Sequence, residues 1–132
     1  MTLPQGNPTV IVTVNGKWVL PTGAVYKIIY RPTNTGADTS MHDSETGADY
    51  QVPVGKKFVS LQVSGNILDN RIWIIYESAL PDSAVKTAVG YVTESSGASY
   101  KTNITVVGEV SAGKYINVNT VYCNLVGYEI DV

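Results

Sequence analysis

The order of apolar and polar positions along the chain predicts β-strands almost throughout. Val59, Leu61 and Val63 alternate with polar side chains, and this period of two predicts a strand with one buried face. Residues 71–77 are apolar in both alternating sets, which predicts a central strand buried on both faces. No stretch shows the 3.6-residue period of an amphipathic helix, so the pattern indicates an all-β protein.

Turn signals separate these runs at regular intervals. Asn15–Gly16 lies between two β-like runs and predicts a two-residue hairpin, because a type I′ turn requires positive φ at both positions. Short runs spaced by roughly 8 to 15 residues are typical of sandwiches and barrels. We therefore predict an all-β fold, a single-domain antiparallel β-sandwich over residues 9–132, jelly-roll-like, with about eight strands.

Two stretches, residues 52–59 and 110–117, are near-duplicates that share a Gly-Lys pair before an alternating run. Each predicts a turn that launches a strand, with glycine at positive φ and lysine as an exposed edge charge. A phosphate-binding loop would need a second glycine five residues earlier and a following helix. The residues assigned to these strand-launch turns are Gly55, Lys56, Gly113 and Lys114.

Residues 33–50 are polar throughout and predict a long polar loop. Its carboxylates could hold a calcium ion, but the spacing of a calcium loop is absent, so we expect a solvated acidic loop without a metal. One histidine and one cysteine do not meet a zinc motif. The acidic and imidazole side chains of this segment are Asp38, His42, Asp43, Glu45 and Asp49.

Composition and charge narrow the functional classes. The net charge is −2, which gives no basic field for nucleic acid, and no apolar run approaches the roughly 20 residues that span a bilayer. Cys123 is the sole cysteine, and we expect it to be a buried thiol in a strand. No motif for a cofactor occurs.

No catalytic motif stands out. The Gly-x-Ser-x-Gly pattern is absent, and a Ser-His-Asp arrangement would have to use His42. Glu109 and Glu129 are expected to point outward from strands rather than to form a carboxylate pair. We therefore predict a protein that is not an enzyme.

Aromatic residues and the N-terminus offer candidates for contact with partners. Trp73 is expected in the core, whereas Trp18, Tyr26 and Tyr30 could stack on sugars or lie in an oligomer interface, which we favour because tyrosine and tryptophan are enriched there. Residues 1–8 lack the regions of a signal peptide and predict an extended N-terminal arm. The docking candidates in the arm are Leu3, Pro4 and Pro8.

The launch pattern, a small residue or proline followed by Gly-Lys and an alternating strand, resembles the small single jelly-roll proteins of tailed-phage virions. These are capsid decoration (cement) proteins and domains of fibres. The resemblance implies a non-enzymatic structural protein of the virion, made in the host cytoplasm, that forms a homotrimer and docks on the major capsid protein or another virion protein. The alternative is a carbohydrate-binding or receptor-binding module of the fibre or adhesin type, with a surface glycan as its partner.

Overall fold

The residues that the structure describes form eleven β-strands and no helix. The structure is a computed structural model that describes residues 12–14, 17–32, 38–67, 72–93, 99–106, 108–118 and 121–132. The all-β prediction is confirmed. The strands are β1 (Val12–Val14), β2 (Lys17–Val19), β3 (Val25–Tyr30), β4 (His42–Asp43), β5 (Lys56–Ile67), β6 (Ile72–Ser78), β7 (Thr87–Thr93), β8 (Ser99–Thr105), β9 (Glu109–Val110), β10 (Tyr115–Val118) and β11 (Val121–Asp131).

After the first hairpin, early strands pair with late strands, and the paired strands come closer together in the sequence towards its middle. β3 pairs antiparallel with β11, β5 pairs with β8 and β9, and β6 pairs with β7. Residues 41–52, which lie between β3 and β5 in the sequence, run along β10, where the Met41 amide donates to the Ile116 carbonyl over 2.8 Å. A long hairpin rolled up in this way is the jelly-roll arrangement, as predicted.

Two antiparallel sheets enclose the main core. The larger sheet runs in the order β4-β3-β11-β5-β8, with β9 also on β5, and the smaller sheet runs β10-β6-β7. β1 and β2 form a separate hairpin with Val14 opposite Lys17, in the register predicted for this hairpin. The prediction of a single-domain β-sandwich is confirmed. The buried core cluster takes members from both sheets: Ile29, Met41, Tyr50, Val52, Phe58, Val63, Ile75, Val106, Val110, Ile116, Val118, Cys123 and Leu125.

A second, smaller cluster lies on the other face of the larger sheet. Val59, Leu61 and Tyr128 are buried there, and Leu20 and Ala24 pack against them. Because the centre of this sheet is covered on both sides, β5 and β11 carry apolar residues on both faces. Burial on two faces explains why the adjacent residues Phe58 and Val59 are both apolar.

A β-bulge explains a wrong prediction about β5. Gln62 pairs with Val126 and Ser60 pairs with Gly127, so Leu61 is an extra residue on its strand. An extra residue shifts the side chains that follow it to the opposite face. Val63 therefore lies in the main core, whereas Val59 and Leu61 lie in the second cluster; the three do not share one face.

Three turns with the same geometry launch β3, β5 and β10. In each turn the amide of the fourth residue donates to the carbonyl of the first, over 3.1, 3.1 and 3.3 Å. The third residue is a glycine with positive φ, namely Gly23, Gly55 and Gly113. This combination defines a type II turn, in which glycine avoids a steric cost. The turns span residues 21–24, 53–56 and 111–114.

The two Gly-Lys turns also lie beside each other in space. The Gly113 amide donates to the Val52 carbonyl over 2.7 Å. The Lys56 ammonium forms an ion pair with Asp131 at 2.8 Å, and Lys114 is half-buried. The similarity of the two stretches thus corresponds to neighbouring strand starts in the roll.

Gly127 provides a test of how the larger sheet packs. A Cβ at this position would overlap the Val59 carbonyl oxygen and the ring of Phe58. We expect Gly127→Ala to lower the free energy of unfolding by about 3 kcal/mol or more, because a packed core resists added volume. Urea denaturation measures this loss.

Gly55→Ala is the matched control. Its Cβ would meet open space, so only the positive φ penalises it, by roughly 1 kcal/mol. Equal losses in the two variants would contradict the packing that places the Phe58 ring over Gly127.

Candidate functional site

The outward face of β3 carries partly exposed apolar side chains. Tyr26 is 45% exposed and Ile28 is 41% exposed, while Tyr30 on the same face is half-buried. Ile29, which points the other way, is fully buried in the main core. The core thus holds β3 in place and fixes where its outward residues stand.

Part of the edge of β3 is uncovered. β4 pairs only with Ile29 and Tyr30, and the Ser44 amide donates to the Ile28 carbonyl over 3.1 Å. Within the described ranges, no strand lies beyond residues 25–27 on this side of the sheet. Val25, at the start of the strand, is 51% exposed. We call Val25, Tyr26 and Ile28 the β3 strip.

A buried hydrogen bond ties residues 38–52 to the last strand. The Tyr50 hydroxyl donates to Glu129 Oε2 over 2.6 Å, and both residues are buried. Burial, together with the adjacent Glu129 carboxylate, raises the pKa of Tyr50. The expectation that Glu129 points outward is wrong, because its side chain points to the inner face of β11, where Tyr50 meets it.

An ion pair beside this bond joins β3 to β4. Lys27 Nζ lies 2.6 Å from Asp43 Oδ2 and 5.6 Å from the centre of the Tyr50 ring. Burial opposes both charges, but the hydrogen bond and charge of Lys27 hold the pKa of Asp43 below its usual value. In the same way, Asp43 raises the pKa of Lys27 despite burial.

The prediction of a long polar loop does not describe residues 38–43, which pack on the sandwich. Met41 and Ser40 are buried, and Ser40 and Asp82 exchange two hydrogen bonds of 2.8 Å. Asp38 pairs with Lys86 at 2.8 Å, and His42 lies 2.9 Å from Asp49. The polar groups at residues 38–43 are therefore matched to partners, and this part contributes an element of the roll, whereas residues 44–49 are exposed. Residues 33–37 of the predicted loop lie outside the described residues.

The described part of the chain contains no cluster of side chains that could bind a metal ion. There, no group of three or more His, Cys, Asp or Glu side chains could hold a metal ion. The prediction that Cys123 is buried is confirmed, and burial raises the pKa of its thiol to about 12, which disfavours the reactive thiolate. No helix in the same residues is long and apolar enough to cross a bilayer.

The remaining predicted site residues are only partly described. Leu3, Pro4 and Pro8 lie outside the described residues. The backbone of Trp18 pairs with Thr13 in the first hairpin, but its side chain lies outside the description, as does that of Trp73. Tyr26 and Tyr30 share one face of β3, as predicted from their spacing.

The sequence does not single out two members of the β3 strip, or the hydrogen bond between Tyr50 and Glu129, which we call the buried anchor. Val25 and Ile28 are aliphatic and resemble core residues in the sequence. A usable signal was that Tyr26, Ile28 and Tyr30 form one alternating apolar set while Ile29 belongs to the other. Tyr50 and Glu129 are 79 residues apart, and no local pattern connects them.

Comparison with known proteins yields no relative for this chain. No family model matches it, and neither a curated protein nor a solved structure does.

Removing the hydroxyl of Tyr50 tests the buried anchor. We expect Tyr50→Phe to lower the free energy of unfolding by about 1–3 kcal/mol, because it leaves the Glu129 carboxylate buried without its donor. Asp131→Asn, at the solvent-exposed ion pair with Lys56, is the control and should change stability little, since exposed pairs are weak. Equal effects in urea denaturation would show that the Tyr50 bond contributes no more than a surface contact.

The pH dependence of stability tests the Lys27–Asp43 pair. The pKa of Asp43 is lower in the folded state than its unfolded value of about 3.9. Its contribution is therefore present above that value and is lost as the pH falls through the folded pKa. We expect the unfolding free energy of Asp43→Asn to vary less than that of the wild type below about pH 4. Parallel curves in acid would contradict this assignment.

Proposed function

We propose that the protein is a non-enzymatic structural protein that works by binding copies of itself and other proteins. The observation that supports this is the β3 strip, where three large apolar side chains are each between 41% and 51% exposed on one strand. Contiguous exposed apolar groups are typical of interaction sites, whereas single ones are ordinary. The exposed tyrosine adds to this, because tyrosine is enriched at interfaces.

The sandwich holds this surface rigidly. Ile29 fixes the middle of β3 in the main core, and the Lys27–Asp43 pair fastens its first half to β4. A surface that is ordered before binding loses little conformational entropy when a partner arrives. Rigidity of this kind suits a protein whose role is to stabilise an assembly.

In its more specific form, the proposal is a capsid decoration or cement protein of a phage virion. It is supported by the launch-turn resemblance and by a rolled-up sandwich of the kind found in such proteins. The proposed partners are further copies of the chain and the major capsid protein or another virion protein. Residues 1–8 act as the docking arm, and the homotrimer implied by the resemblance is the assembly to be tested.

A receptor-binding or carbohydrate-binding module is the second candidate. The exposed ring of Tyr26 favours it, because an aromatic face on a sheet can stack on a sugar ring. Tyr30 is less suited, since its ring already packs edge-on against His42 with centroids 5.9 Å apart. The interface therefore remains the better use of this face.

Removing residues 1–8 tests the structural role. During particle assembly, the tagged full-length chain is expected to band with intact phage particles in a density gradient. The truncated chain should lose this association while keeping the thermal melting curve of the folded domain. This follows because an arm that docks on a neighbour adds affinity without contributing to the core.

Failure of the full-length chain to band with particles would contradict the virion proposal. A glycan array run beside the gradient separates the two candidates. Specific glycan binding that is lost in Tyr26→Ala, without association with particles, would favour the receptor-binding module.

A further inference from the structure

We propose that the uncovered edge of β3 binds the same edge of a second copy of the chain, antiparallel, about a twofold axis at Tyr26. This inference rests on the self-association in the proposed function and names the surface through which copies associate. A contact about a twofold axis joins two copies, so it gives a dimer in place of the homotrimer that the resemblance implies. It requires unpaired backbone groups, exposed side chains and a register that is compatible with itself.

The backbone groups of Tyr26 face the open side of the sheet. The Ile28 carbonyl accepts from Ser44, on the side away from β11. The polar backbone groups of a strand point to the same side every second residue, so those of Tyr26 also point away from β11. In the part of the chain that the structure describes, they meet no neighbouring strand. Unpaired edge groups of this kind are a template for another strand.

The exposed side chains at this edge also favour the addition of a strand. Val25 is exposed on one face of the sheet, and Tyr26 and Ile28 on the other. A strand added here would cover apolar surface on both faces as well as pair the backbone. In the strand, the exposed side chains of Val25 and Ile28 thus lie on either side of Tyr26, whose own side chain is exposed and whose backbone groups face the open edge.

The usual protections of an edge are missing or neutralised at this position. A charged residue that points inward can discourage strand addition, and Lys27 occupies such a place. Its ammonium is already bound to Asp43 at 2.6 Å within the same chain, and the side chain is mostly buried. No proline interrupts β3. The edge therefore remains available to a partner strand.

The outward-facing backbone groups of Tyr26 and the charge of Lys27 together restrict the register in which a second copy can pair. With the axis at Tyr26, Val25 lies opposite Lys27 of the second copy, and the pairing ends before Ile28, where Ser44 lies. No like charges then face each other. With the axis at Lys27, the two lysines would lie directly opposite, which destabilises a sheet. The strand is thus complementary to itself in the register centred on Tyr26.

The ends of the pairing are also defined. At one end, the type II turn at residues 21–24 directly precedes β3, and Leu20, just before the turn, packs against the second cluster. At the other end, Ser44 already occupies the Ile28 carbonyl. Because Ser44 covers Ile28 and the Ala24 amide already donates to the Pro21 carbonyl, the shared segment is residues 25–27. Pairing this short covers less than the roughly 800 Å² per partner of a standard interface, so we expect a weak, concentration-dependent dimer.

Cross-linking at the axis tests the register. Facing residues in a hydrogen-bonded antiparallel pair have Cα atoms about 5.5 Å apart, within the range of about 4.4–6.8 Å for a disulfide. Under mild oxidation, Tyr26→Cys should form a disulfide dimer at least about tenfold faster than the control, because association raises the local thiol concentration. The control is Val85→Cys, at an exposed position far along the chain from β3. Cys123 is buried and does not compete.

Sedimentation of the chain without cysteine substitutions provides the second measurement. We expect the wild type to shift from monomer to dimer as its concentration rises, and Ile28→Lys to remain monomeric at the same concentrations. If the wild type associates but Tyr26→Cys cross-links no faster than Val85→Cys, or if the assembly contains three copies, the β3 edge proposal is overturned while self-association stands. If the wild type stays monomeric, the edge proposal is overturned, and banding with particles then decides the proposed function separately.

Discussion

The position of β11 between β3 and β5 is the constraint on which the rest of the structure depends. β11 is the last strand of the chain, and it pairs along most of its length with both neighbours. Its side chains serve both clusters, since Leu125 lies in the main core and Tyr128 in the second cluster. The larger sheet therefore depends on pairings between strands that are far apart in the sequence, and folds dominated by such distant pairings form slowly.

The tight contact at Gly127 follows from this double pairing. β11 has a strand on each side at Gly127, and the Val59 carbonyl oxygen and the ring of Phe58 lie where a Cβ of residue 127 would be. The bulge at Leu61 lies next to this contact in the register. A bulge increases local twist, and here it lets one strand supply apolar residues to two layers. Glycine at 127 is thus a packing requirement, unlike Gly55 and Gly113, which satisfy turns.

Local patterns in the sequence predict the strands and turns but not the pairing of distant polar groups. Alternation and turn signals correctly indicate the sandwich, the first hairpin and the launch turns, because each of these depends on neighbouring residues. The anchor between Tyr50 and Glu129 depends on residues 79 apart, and both look solvent-exposed in their own segments. The same reason explains residues 38–50, whose polarity suggests a loop until Asp82 and Lys86 are placed beside Ser40 and Asp38.

The exposed edge of β3 is a consequence of the rolled topology. When the first strand of the roll pairs with the last, its other side is left at the border of the sheet. Among the described residues, β4 covers that border at Ile29 and Tyr30, and Ser44 covers it at Ile28. The ion pair that holds β4 also neutralises Lys27, the charged residue of β3 that could otherwise discourage the addition of another strand. The interaction that fastens residues 38–52 to the sandwich therefore also leaves the start of β3 open to a second strand.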